Sequence, residues 1–109
     1  MIFISAEDFF AKAEAAVRLS REDEVAFALL ARAGDFIARD KIIDSYLGVV
    51  AAHIKRLSPQ LQTLDVVYRC KSVLEQAVDE FDFTQNSEPF IHRLNLALRQ
   101  AIAEHIAIM

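Results

Sequence analysis

The sequence predicts an all-α fold, a compact bundle of about five antiparallel helices, on three observations. Two glycines in 109 residues leave little room for strands and tight turns, whereas alanine, the best helix former, occurs seventeen times. Hydrophobic residues make up 54% of the chain, above the roughly 45–50% of an ordinary soluble domain. That supplies a core in a single domain without disulfide or metal. Finally, the apolar positions recur at helical period when projected at about 100° per residue.

Each predicted helix has its own signals. The first covers residues 6–19, with Ser5 as N-cap, Asp8 three residues on, and Ile4 and Phe9 at the staple positions. The second covers 21–38, capped by Ser20, with Glu22, Asp23 and Glu24 loading its first turn. It is apolar around most of its circumference (Val25, Phe27, Leu29, Leu30, Ala33, Phe36, Ile37), which predicts a central position. A half-turn jump of the stripe at Ala38 to Lys41 separates it from a third helix over 41–57. There Ile42, Ile43, Tyr46, Leu47, Val50 and Ile54 face a core, and Ser45, Gly48, Ala51 and Ala52 make a small-residue side. Ser58-Pro59 opens a fourth helix over 59–81. DFTQNSEP, residues 82–89, is a loop, and a fifth helix runs from about Glu88 to the end.

A second architecture fits part of this pattern. Phe10, Ala13, Val17, Ala26, Leu30 and Ala33 fall roughly on the spacing of a tetratricopeptide repeat, and Leu47-Gly48 recurs one period after Ala13-Glu14. The chain thus resembles two such helical hairpins plus a capping helix. It departs from the repeat at Glu14, where glycine belongs, and at Gln60, where a small residue belongs.

Composition excludes several functions. Twelve basic against sixteen acidic residues give −4, the wrong balance for neutralising phosphates, so no nucleic-acid partner is expected. The longest uncharged run, Ser45 to Ile54, is ten residues, against about 20 for a membrane span. The start, MIFISAEDFF, lacks the basic n-region and long apolar core of a signal peptide. A cytoplasmic protein without membrane attachment is expected.

Chemistry-bearing residues are few. His53 projects into the third helix's apolar stripe, where a buried histidine must find a partner for its ring nitrogens. With Arg56 three positions later it resembles the motif of histidine phosphotransfer bundles, although Leu57 stands where their glycine belongs. Arg99 and His105 have the arginine–five–histidine spacing of HEPN ribonucleases, which are helical domains of similar size. Cys70, centred on an apolar stripe, reads as a small core hydrophobe. No motif provides three or four converging metal ligands, a phosphate loop or a dinucleotide fingerprint, so no metal, cofactor or catalytic residue is expected.

Two anomalies point toward a protein partner. Residues 59–88 hold six acids against Arg69 and Lys71, and Asp79, Glu80 and Asp82 gather at a helix carboxyl end, where they oppose the dipole. That cluster reads as a docking edge for a basic segment. In addition, Phe27, Tyr68, Leu96 and Ile106 lie off their helices' main stripes, and with Ile102, Ile108 and Met109 they suggest a dimer seam or a groove for a partner helix. The expectation is a small interaction module, an adaptor, chaperone or regulator, that self-associates through an apolar helical surface. In size and character it resembles helical bacterial secretion chaperones. The alternative is a catalytic or phosphorelay bundle using His53, or Arg99 with His105.

Overall fold

The computed structural model describes residues 2–85 and 88–108, and within them the chain is all-helical, as predicted. Helix α1 spans Ala6–Ala15, α2 Arg21–Arg32, α3 Phe36–Ser45, α4 Leu47–Lys55, α5 Leu64–Glu80 and α6 Phe90–Ala107. Helices α3 and α4 share Tyr46 as their junction, so the six segments form five rods.

The caps explain most boundaries. The Ser5 side chain accepts the Asp8 N–H at 3.0 Å, and Asp8 reaches back to the Ile4 N–H at 3.0 Å. The staple forms differently from the prediction: Ile4 is exposed, and Phe3 packs edge-on against Phe9 with centroids 5.0 Å apart. Tyr68 of α5 locks this segment, accepting the Phe3 N–H at 2.9 Å and donating to the Phe3 carbonyl at 3.0 Å. Ser20 caps α2 through the Asp23 N–H at 3.1 Å.

The predicted second and third helices are redrawn. Residues 38–41, the expected turn, lie inside α3. The break falls at Gly34, whose φ of 101° suits glycine, followed by Asp35, which caps α3 through the Ala38 N–H at 3.0 Å. Backbone bonds from Gly34 to Ala31 (3.0 Å) and Asp35 to Leu30 (3.0 Å) close α2 as a Schellman motif. Ser58-Pro59 starts only a 3₁₀ turn, Pro59–Leu61, and α5 begins later, capped by Thr63. Between the two, the Gln62 amide donates to the Leu57 carbonyl at 2.9 Å, satisfying an acceptor just past the end of α4. Helix α1 also stops at Ala15, short of the predicted residue 19.

The core sits between α1, α4, α5 and α6, with the inner face of α3, and not around α2. Helix α2 buries only Ala28 and packs chiefly on α3, as one arm of a peripheral hairpin. Of the apolar residues that suggested a central helix, α2 itself carries Val25, Phe27, Leu29 and Leu30, and the last two are left exposed. Helix α1 packs chiefly on α4 and not on the α2 that follows it, so the first hairpin of the tetratricopeptide-like pair does not form, and Val17 is 81% exposed. Cys70 is fully buried, as its stripe predicted. The predicted loop contributes Phe83, which closes one end of the core in an aromatic cluster with Phe81 and Phe90, at centroid distances of 4.9 Å each from Phe83. Residues 86 and 87 of that loop lie outside the described residues.

Candidate functional site

The acidic end of α5 is mostly matched from within. Arg39 of α3 grips Asp79 with two bonds, Nε to Oδ1 at 2.7 Å and a terminal nitrogen to Oδ2 at 2.9 Å, and holds its carboxyl below the usual range. Arg32 of α2 pairs with Asp82, whose carboxyl is held low chiefly by hydrogen bonds from Thr84. Both pairs fasten the α2–α3 hairpin to the end of α5. Glu80 is exposed and accepts a bond from Gln76 at 3.0 Å. Two of the three acids expected to receive a partner thus serve the fold, because α2 and α3 carry arginines opposite them.

The residues expected to form an apolar seam do not form one surface. Ile102 is 9% exposed and belongs to the core. Phe27 is half-buried against the core, beneath the Lys41 ammonium, in a depression bounded by α1, α2 and α3. Leu96 is 67% exposed and lies in a separate depression with Ala77 and Arg93. Ile106 is exposed near the end of α6, and Met109 lies outside the described residues. Four further apolar side chains are uncovered elsewhere, on either side of the turn of the α2–α3 hairpin. Leu29, Leu30, Phe36 and Ile37 are 53%, 48%, 75% and 72% exposed there. The sequence reading assigned these four to core stripes. The Gly34-Asp35 pair, a helix stop followed by a cap, is the signal that would have separated them.

The histidine predicted as a core-edge residue lines a cleft. Side chains four apart share a helix face, and α6 uses Ile91, Asn95 and Arg99 this way to form one wall. Gly48, Val49, Ala52, His53 and Arg56 form the other wall, with Ser45 at one end and Ala16 and Arg18 from the segment after α1. The space between them is about 430 Å³. The small-residue side of the predicted third helix is what opens it: Gly48 and Ala52 are exposed there. His53 is half-buried, and its Nε2 lies 2.8 Å from Asn95 Oδ1, a hydrogen bond linking the two walls. Arg18 stacks over the Tyr46 ring, 4.2 Å from its centroid. The Tyr46 hydroxyl donates to Glu24 Oε2 at 2.6 Å, and burial pushes its ionisation well up, reinforced by Glu24.

The other sequence candidates fall apart in space. Arg99 faces the cleft, whereas His105, about 120° round the helix at 100° per residue, is not among its lining residues. Cys70 has its thiol pushed up to about 11 by burial. Among the described residues no group of histidine, cysteine and carboxylate ligands is placed to hold a metal, and no helix is long and apolar enough to cross a membrane. Neither a protein-family model nor a curated protein matches this chain, so its geometry alone carries the functional reading.

Proposed function

We propose that this chain is a small protein-interaction module that associates with a second copy of itself through the tip of the α2–α3 hairpin. The observation that supports this is the exposure of Leu29, Leu30, Phe36 and Ile37 around one turn. Apolar area of that kind, held on a rigid hairpin, is stabilised when a partner removes it from water. The tip carries little charge of its own: Arg32 is engaged by Asp82, and Asp35 is engaged as a helix cap. A neutral apolar patch is self-complementary, which a two-fold dimer needs, and it offers nothing to a strongly basic or acidic partner.

Sedimentation and light scattering test the reading. The expected result is a reversible dimer in the micromolar range, about −8 kcal/mol of association free energy. Phe36→Glu and Ile37→Glu are expected to abolish it while leaving the helical circular dichroism intact. A chain that stays monomeric at several hundred micromolar overturns the proposal, as does a dimer indifferent to both substitutions.

A further inference from the structure

We propose that the α4–α6 cleft is a binding site for a small organic polyanion, its phosphoryl or carboxylate groups taken by Arg18, Arg56 and Arg99. The argument begins with charge. Sixteen carboxylates are available to twelve cations, so carboxylates are not scarce. Among the described residues, Lys12, Arg32, Arg39, Arg69, Lys71 and Arg93 all have a carboxylate within 4 Å. Arg18, Arg56 and Arg99 have none; Lys41 and Lys55 have none either but stand singly over Phe27 and Phe10, whereas the three arginines line the same cleft, which has no carboxylate on its walls. Like charges gathered without counter-charge repel one another, and an anion between them relieves that repulsion.

The geometry fits the same class of ligand. Guanidinium groups present forked donors that match phosphate and carboxylate oxygens bidentately. Asn95 gives its Oδ1 to His53, leaving the amide N–H groups of its other end as neutral donors inside the cleft. Val49, Ala52 and Ile91 offer an apolar lining for a carbon skeleton. A volume of about 430 Å³ lies within the roughly 300–1,000 Å³ of small-molecule sites. The hairpin tip shares no residue with this cleft, so the proposal stands apart from the self-association reading.

Titration calorimetry at low ionic strength, with pyrophosphate in one arm and citrate in the other, tests it. At least one is expected to bind with a millimolar or tighter Kd that weakens with salt. The arm that binds more tightly identifies the anion as phosphoryl or carboxylate. Arg56→Ala and Arg99→Ala should each weaken binding about tenfold, as for loss of a charge-assisted bond. Arg56 and Arg99 are exposed, so the variants are expected to keep the native circular dichroism. Arg69→Ala, which removes an arginine on α5 paired with Glu104, should leave binding unchanged. The proposal is overturned if neither anion binds. Binding that survives the Arg56→Ala/Arg99→Ala double substitution, or that falls equally with Arg69→Ala, overturns it too.

Discussion

Removing Asp79 separates two roles for the acidic end of α5, partner docking and internal fastening. In the structure Asp79 is held by the Arg39 fork at 2.7 and 2.9 Å, with side-chain exposures of 52% for the acid and 24% for the arginine. The gross attraction of such a pair lies between about 1 kcal/mol in bulk water and about 4 kcal/mol near a protein surface. Half-exposure of the acid and the entropy of fixing two side chains bring the net coupling to about 1 kcal/mol. Arg39 keeps Glu75 and Asp40 at 3.9 Å each, so Asp79→Ala does not strand a bare charge. The expected loss is therefore about 1 kcal/mol, or about 4 °C in Tm for a domain of this size. Asp79→Lys adds repulsion against Arg39 and costs more. Urea denaturation of wild type, Arg39→Ala, Asp79→Ala and the double variant gives the coupling directly. A coupling within about 0.3 kcal/mol of zero, the usual additivity error for independent sites, refutes the fastening role. The pH dependence has a definite sign. Arg39 holds the native Asp79 carboxyl below its ordinary 3.8. Its contribution is thus present above that ordinary value and lost as pH falls through the lowered one, and Asp79→Ala should flatten this acid limb.

Three other outcomes follow from the packing. Gly34→Ala meets no atom within 4 Å, but it forces alanine to a φ of 101°, and it should cost about 1–2 kcal/mol by thermal denaturation. Gly48→Ala is expected to do the opposite: its new methyl would meet only the Ala13 carbonyl at an ordinary 3.8 Å, so helix propensity should stabilise the fold by about 0.5–1 kcal/mol. Cys70 should resist a thiol reagent until the chain unfolds, because it is fully buried with its thiol pushed up to about 11. Its folded pKa lies above the free thiol's 9.0, so the stability it lends is complete below that value and fades as pH rises toward about 11. Fast labelling of the native protein would contradict that placement.

Much of the fold was legible because local chemistry dictates it. Ser5 and Ser20 cap the helices they were expected to cap, and the apolar stripes of α4, α5 and α6 face the core. The division between α2 and α3 was misplaced because an all-round apolar surface gives a projection no sharp edge, so a shift of phase at residues 38–41 looked like the break. Gly34-Asp35 held the better signal, since positive φ and a cap are backbone requirements independent of hydrophobicity. Of the candidate site residues, Leu96 and Ile106 are exposed as expected, whereas Ile102 is buried, because a single helix's periodicity does not say which other helix covers it.

The sequence by itself determined that the chain is helical, where α1 and α2 start, and that Cys70 belongs inside, because caps, period and transfer free energy act over one or two turns. Tertiary structure alone decided the rest. It set α2 at the edge, turned Asp79 and Asp82 into fasteners for α3 and α2, and brought Arg18, Arg56 and Arg99 around one cleft. Those arginines are separated by dozens of residues, and no period relates them. Only the approach of α6, and of the segment after α1, to α4 gathers their charges, and that approach is fixed by the packing of the whole core.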